Sequence, residues 1–344
     1  MKKTSTLTAC GILSVAMAAS VLSGCGDKKI DGTQTAMVID GEELSFGLVN
    51  YFVRTQQAST YAQMSGMMAA FGGDGKTFWT LEEDGVTYGE EFKESMLTDL
   101  ANKVEIRKHA EELGVSISDE ERQKLEETAN AFYEKNAEVM KKLGVSLENV
   151  QEALELKTLE LKIRPEVVKD TDRNVSDDEA AQTTCTYVRL KKSDDDAENK
   201  ETEKQMQEIL KKVQDADAGA DLAEIAKTVN EEAYSAQYGY NQGAYDDDNN
   251  VLDAAIKEIL PDLKDGQVYD QVIEGDKFYF VIRMDHLFDR EKTDAKKETI
   301  IAERENTLYT ETVEGWTADI TPETKECWDK LVIDDSEVFT LPQN

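Results

Sequence analysis

The sequence has few basic residues and no cluster of them large enough to suggest a polyanion-binding surface. Lysine and arginine number 39 against 72 aspartates and glutamates, which gives a formal net charge of −33. Nucleic-acid binding depends on clustered lysine and arginine that neutralise phosphates, so this composition argues against a nucleic-acid partner. Acidity by itself identifies no other partner, because it commonly serves only solubility.

Cysteine and histidine are also scarce, with four and two residues respectively. No two cysteines have the CxxC spacing of a zinc site, and neither a glycine-rich phosphate loop nor a serine-containing nucleophile elbow is present. We therefore predict neither a metal nor a cofactor. Cys185 and Cys327 lie far apart in the sequence, which favours two free thiols but leaves a disulfide open.

The N-terminal residues have the layout of a secretory signal. Two lysines precede a mostly apolar stretch, residues 7–22, which is shorter than the roughly 20 apolar residues of a membrane span. The stretch ends in Leu-Ser-Gly-Cys, which resembles the lipobox of bacterial lipoproteins. We expect a signal peptide over residues 1–24, a lipid on Cys25 that anchors the chain to a membrane, and a tether over residues 25–35.

Residues 36–178 are predicted to form a helical domain. Apolar residues recur at helical spacing from Gly89 to Leu113, and Ser118 begins a capping box for a helix that continues to Leu143. A third helix is expected to end before Pro165. Methionines near residue 64 suit an adaptable apolar surface, although an ordinary helix core is the simpler interpretation.

Residues 179–291 change to an α+β pattern. The predicted elements are strands at 185–190 and 278–284, helices at 201–213, 221–229 and 251–263, a solvated loop at 191–200 and a glycine-containing loop at 239–243. Residues 292–344 are again helical and rich in tryptophan, so we expect them to pack on the N-terminal domain. The predicted fold class is therefore α+β, a helical domain with an inserted smaller module.

Several motifs in this module have the order and spacing of the parvulin-type prolyl isomerase domain. Residues 221–227 are similar to the start of a family helix, residues 263–268 to a family turn, and residues 278–284 to the last family strand. Val-Ile-Asp-Gly-Glu at 38–42 resembles the opening of the PrsA/SurA class of extracytoplasmic foldases. The resemblance implies a membrane-anchored foldase or chaperone on the extracytoplasmic face, with unfolded or newly exported polypeptides as partners.

The family places one histidine on each of two neighbouring strands at the base of a proline pocket, and this sequence has neither. The resemblance puts Tyr187 at the first position and Tyr279 at the second, or Phe280 if a loop differs by one residue. The acidic position near the glycine loop is either occupied by Glu232 or empty. The tyrosine hydroxyls could replace part of the polar network, or both tyrosines are core residues of buried strands.

The substrate-binding positions implied by the resemblance are Leu252, Ile256, Asn241 and Phe280. Because the histidine pair is missing, isomerase activity is left open, and a peptide-binding domain without activity is the alternative. A solute-binding lipoprotein of a transporter is the third hypothesis. It would require repeated βα units around parallel sheets, which this pattern of long helices and one small α+β module does not favour.

Overall fold

A computed structural model of the protein describes residues 30–70, 78–217, 219–241, 253–334 and 339, with residues 65–70 described by their backbone alone. The predicted signal peptide, Cys25 and Leu252 lie outside the described residues, as do the side chains of most of the methionine-rich segment. Within the ranges given, no helix is both long and apolar enough to cross a membrane.

Runs of helices and antiparallel strands follow one another along the described chain, which confirms the predicted α+β class. The strands are β1 (Thr35–Ile39), β2 (Glu42–Ser45), β3 (Glu82–Glu83), β4 (Val86–Thr87), β5 (Gln182–Lys191), β6 (Tyr234–Asn241), β7 (Ile273–Glu274), β8 (Phe278–His286) and β9 (Glu323–Thr324). The helices are α1 (Phe46–Ala70), α2 (Tyr88–Glu112), α3 (Asp119–Lys135), α4 (Ala137–Lys142), α5 (Leu147–Val167), α6 (Asp177–Ala180), α7 (Asp196–Gln214), α8 (Leu222–Lys227), α9 (Ala254–Ile259), α10 (Arg290–Thr317) and α11 (Glu326–Asp329). Short 3-10 helices cover Phe78–Thr80 and Leu260–Asp262.

The chain forms two compact units, each built from segments that are distant in sequence. Unit 1 takes its described residues from Met1–Val104, Ile117–Thr158 and Ile320–Asn344, and unit 2 from Glu105–Ser116 and Leu159–Asp319. The sequence-based division kept residues 292–344 together, whereas the structure divides them at Ile320. Helix α10 joins unit 2 because its buried Val313 packs in one cluster with Ile106 and Ile163.

Unit 1 brings both ends of its sequence into one core. Strand β1 lies between β2 and β9 in an antiparallel sheet, so the strand near the C-terminus pairs with the first strand of the unit. Trp328 is 4% exposed in the same core as Tyr51, and the rings of Tyr51 and Phe339 lie 5.9 Å apart. The β1–β2 turn has positive φ at Asp40 and Gly41, as the primed turns of tight hairpins require.

The unit 1 helices follow the predicted caps but differ in extent. The capping box at Ser118 is present, with its hydroxyl accepting from the Glu121 amide at 3.3 Å. The helix predicted to reach Leu143 is interrupted at Asn136, which separates α3 from α4. Helix α5 includes Pro165 instead of ending before it, and it ends two residues later, so few helical bonds are affected.

Unit 2 contains an antiparallel four-stranded sheet of order β6-β5-β8-β7. Helix α7 packs its apolar side chains on one face of the sheet, beside Val188, Val281 and Tyr279. Helix α9 and the 3-10 helix after it pack on the other face, where Ile256 and Leu260 join Phe280 and Ile282 in a separate core. The described sheets are antiparallel throughout, unlike the parallel sheets of the solute-binding hypothesis.

Two segments of unit 2 that were predicted to be loops contain regular structure. Helix α7 begins at Asp196, inside the predicted loop, because Asp195 caps it by accepting from the amides of Ala197 and Glu198. Gly239 belongs to strand β6 rather than to a loop. Strand β6 pairs with eight consecutive positions of β5, from Gln182 to Arg189.

Candidate functional site

Strand register decides which predicted residues share a face of the unit 2 sheet. Tyr187 of β5 is opposite Ile282 of β8, and Arg189 is opposite Phe280. Because side chains alternate along a strand, Tyr187, Arg189 and Phe280 lie on the face that α9 covers. Tyr279 precedes Phe280 directly in β8, so its side chain lies on the opposite face of the sheet, under α7.

These side chains line a small pocket between the sheet and α9. The pocket has a volume of about 210 Å³, and its lining residues are Tyr187, Arg189, Asp253, Ile256, Asp276, Lys277, Phe278 and Phe280. Ligand sites for whole small molecules usually measure about 300–1,000 Å³. The size therefore suits one side-chain ring of a longer ligand.

The apolar wall of the pocket is formed by aromatic rings and one isoleucine. The rings of Tyr187 and Phe280 are 6.1 Å apart at an interplanar angle of 75°, an edge-to-face arrangement. Phe278 and Phe280 lie 6.0 Å apart on the same face. Ile256 is fully buried, and Phe280 is 4% exposed. Packing on both sides holds these groups in fixed positions.

Asp253 anchors helix α9 to the turn before β8. One carboxylate oxygen caps α9 by accepting from the Ala255 amide at 3.0 Å, and the other accepts from the Asp276 amide at 3.2 Å. A Cβ atom on Gly275 would lie 2.2 Å from the Asp253 carboxylate, so only glycine permits this approach. Asp253 thereby fixes the distance between Ile256 and the aromatic strand.

The protonation of the pocket tyrosine is set by burial. Burial raises the pKa of Tyr187 above its ordinary value of 10, and the Arg189 charge opposes that shift only in part. Cys185, two residues earlier on the same face, is fully buried, and burial and the Asp285 carboxylate raise its pKa to about 12. Both groups therefore stay neutral near pH 7, and Cys185 is not a thiolate nucleophile.

Tyr279 lies outside the pocket. It is 6% exposed in the core beneath α7, with the Lys192 ammonium 5.3 Å from its ring centroid. Burial and the nearby Glu274 carboxylate raise the pKa of Tyr279. Of the two alternatives for the second position, the structure brings Phe280 to the pocket and gives Tyr279 a core position.

Two other predicted positions, Glu232 and Asn241, do not line the pocket. Glu232 is exposed before β6, where its amide donates to the Asn230 side chain at 2.8 Å. Asn241 ends β6, and its side-chain oxygen accepts from Gln182 at 2.7 Å. Leu252 lies outside the described residues.

Neither histidine of the sequence lies in this pocket. His109 stacks on Trp316 with ring centroids 4.1 Å apart, and His286 lines a separate cavity with Asp285 and Gly266. Cys185 and Cys327 are both free thiols.

Sequence reasoning missed Arg189, Phe278 and the Asp253 anchor. The signal that could have found the first two is period-two alternation, because Arg189 follows Tyr187 by two positions and Phe278 precedes Phe280 by two. The pairing of β5 with β6 brings Tyr234 opposite Arg189.

Comparison with known families identifies the segment that carries the pocket. Residues 166–287 match the family model described as a PPIC-type PPIase domain, the peptidyl-prolyl isomerase domain also called a rotamase. This match confirms the parvulin-type resemblance for that part of the chain. It includes the strands β5, β6 and β8 and the helix α9.

Three solved structures that the chain resembles are PrsA proteins. PrsA from Bacillus subtilis has 14% identity and a TM-score of 0.26, over 86% of this chain and 93% of that one. The peptidylprolyl isomerase PrsA from Bacillus cereus has 13% identity and a TM-score of 0.27, over 90% and 97% respectively. PrsA from Bacillus anthracis has 14% identity and a TM-score of 0.26, over 65% and 96%. No curated protein matches the chain.

Proposed function

We propose that the protein is an extracytoplasmic foldase that binds proline-containing segments of unfolded polypeptides and accelerates their cis/trans isomerisation. The observation that carries the proposal is the pocket of Tyr187, Ile256 and Phe280 within a segment that matches the PPIC-type PPIase family. The lipid on Cys25 would hold this activity at the membrane surface, where exported chains emerge unfolded.

The reaction does not require the missing histidines. Amide resonance sets a barrier of about 18–20 kcal/mol to rotation about the peptide bond. Rotation breaks no covalent bond, so neither a nucleophile nor a transferred proton is needed. The twisted amide loses resonance and is less polar than either planar form, so an apolar pocket binds it better relative to water, which lowers the barrier.

Phe280, Ile256 and the Tyr187 ring would enclose the prolyl ring and exclude water from the rotating bond. Slow prolyl isomerisation limits the folding of many chains on a scale of tens of seconds, which gives such a factor a role where exported chains fold.

The test is an NMR exchange measurement on residues 26–344 without the lipid. The peptides are Xaa-Pro peptides in which the residue before proline is varied. Catalytic amounts of protein should broaden their cis and trans signals or produce exchange cross-peaks between them. Binding without faster exchange would support a second candidate, a peptide-binding chaperone without isomerase activity, which the absence of histidine from the pocket favours. Failure of every peptide to bind would contradict both.

The rate should be nearly independent of pH between pH 6 and 9. Burial raises the pKa of Tyr187 above 10, so its phenol stays protonated across this range, and no histidine lines the pocket. We expect kcat/KM for a neutral peptide to change by less than about twofold over this pH range, because Tyr187 does not titrate there and the pocket contains no histidine. A sigmoidal change centred near pH 6.5, the ordinary histidine range, would contradict this assignment.

Membrane attachment is tested separately by Cys25→Ser. The substitution removes the proposed acceptor of the lipid, and we expect the protein to move from the membrane fraction to the soluble extracytoplasmic fraction. Cys327→Ser is the matched control, since Cys327 is a free thiol whose sulfur lies 3.3 Å from the Thr35 carbonyl oxygen. Continued membrane attachment of Cys25→Ser would exclude the anchor.

A further inference from the structure

Arg189 is a charged group that lines the pocket. Its Nε atom is buried and has no hydrogen-bond partner among the described residues. The guanidinium carbon lies 4.6 Å from the ring centroid of Tyr234 and 4.3 Å from that of Phe278. The two aromatic rings hold the guanidinium in place, while the side chain as a whole is only partly buried and lines the pocket.

Four other arginines of unit 2 pair with carboxylates, whereas Arg164 donates to the Asn306 side chain. Arg173, Arg283, Arg290 and Arg304 each bind a carboxylate, to Glu305, Asp285, Asp177 and Glu179 respectively. Acidic residues outnumber basic ones by 72 to 39 in the sequence, so carboxylate partners are abundant. Within the described ranges, Arg189 nevertheless makes no ion pair.

The carboxylates of the same pocket do not take this role. Both Asp253 oxygens accept from backbone amides, one from Ala255 and one from Asp276. Asp276 is exposed, and its amide rather than its carboxylate is fixed by this contact. Lys277 adds a second basic residue to the pocket lining.

The Arg189 guanidinium packs against two aromatic rings. A ligand in the pocket would therefore form hydrogen bonds with the N–H groups along the edge of the guanidinium plane. Carboxylates match this edge with two parallel bonds, and such charge-assisted bonds are about twice as strong as neutral ones. The remaining wall of the pocket suits one prolyl ring. The acidic group and the proline must therefore be close together in the bound chain.

We propose that Arg189 selects client segments that carry an acidic side chain next to the proline, by binding its carboxylate. This inference rests on the proposed function, because it specifies the substrates of the same pocket. It makes Arg189 a specificity-determining residue, and it requires no bond to form or break.

The test compares glutamate with glutamine, which has the same shape without the charge. Four fluorescent tetrapeptides carry either residue immediately before or immediately after the proline, and their binding to residues 26–344 is measured by anisotropy at low and high salt. We expect the glutamate peptide to bind about tenfold tighter than its glutamine partner on at least one side, as one charge-assisted bidentate contact allows. High salt should reduce the difference.

Variants assign the preference to Arg189. Arg189→Met should remove the glutamate preference, and Arg189→Lys should keep part of it, because the charge remains without the planar fork. Lys212→Met, on the exposed side of α7, makes the same change in net charge away from the pocket and should change nothing. Thermal unfolding of each variant checks that it is folded. If Arg189→Met does not fold, the partial glutamate preference expected of Arg189→Lys provides the test.

Two results would overturn the inference. Equal binding of glutamate and glutamine peptides on both sides of proline would exclude carboxylate selection. Equal weakening of all peptides by Arg189→Met would mean that the guanidinium binds a backbone carbonyl instead. In both cases proline peptides still bind, so the proposed function survives, whereas no binding of any proline peptide removes both.

Discussion

Tyr187→Ala is expected to lower kcat/KM for prolyl isomerisation by at least about tenfold. The substitution removes the ring that meets Phe280 edge-to-face and opens the pocket to water. A tenfold loss corresponds to about 1.4 kcal/mol, within the range of one aromatic contact plus its buried area. The measurement is NMR exchange of a neutral Xaa-Pro peptide at a temperature where the variant is folded.

Two hydroxyl deletions complete this experiment. Tyr187→Phe keeps the ring and should retain activity within about threefold, because the reaction needs no proton transfer. Tyr279→Phe makes the same change on the opposite face of the sheet and should leave the rate unchanged. Full activity in Tyr187→Ala, or loss of activity in Tyr279→Phe, would place the reaction elsewhere.

Trp328→Ala should destabilise unit 1 by about 3–5 kcal/mol, the usual cost of removing a buried aromatic side chain. Trp328 is 4% exposed and contributes to a core whose other members include Tyr51 and Phe52, far away in sequence. Loss of its ring leaves a cavity where the C-terminal residues meet the first helix of the unit. Urea unfolding followed by circular dichroism measures the change.

Val332→Ala is the matched control for this prediction. Val332 is 64% exposed, and the contact it makes with the Arg54 guanidinium uses its backbone carbonyl, which alanine retains. We expect its free energy of unfolding to change by less than about 0.5 kcal/mol. A loss below about 1 kcal/mol for Trp328→Ala would mean that the C-terminal residues are not part of the unit 1 core.

Local signals in the sequence were sufficient for the elements that have strong caps or strict periodicity. The capping box of Ser118 and the apolar stripe of α7 are both present. Strand β8 was also recognised from its continuous apolar run. These features depend on residues within a few positions of each other, so a single sequence contains the information.

Strand β6 was missed because Gly239 and several polar residues hide its alternation. Tyr234, Tyr238 and Tyr240 recur at even spacing on one face, but the intervening serine, glutamine and glycine are typical of loops. The strand is stabilised mainly by its pairing with β5, which is a tertiary contact.

The choice between Tyr279 and Phe280 could not be made from the sequence, because it depends on register. A shift of one residue moves every side chain of a strand to the other face. The pairing of Arg189 with Phe280 brings Phe280 to the pocket, and that pairing becomes visible only in the folded sheet. The Asp253 anchor was missed because its partner, the Asp276 amide, is 23 residues away in the sequence.

Methyl NMR on residues 26–344 labelled at isoleucine tests directly whether the pocket binds proline. Ile256 lines the pocket, whereas Ile209 is equally buried on the opposite face beneath α7. On titration with a proline peptide, we expect the Ile256 methyl signal to shift and the Ile209 signal to stay in place. A shift at Ile209 without one at Ile256, or no shift at either while the peptide binds, would contradict the assignment of the pocket.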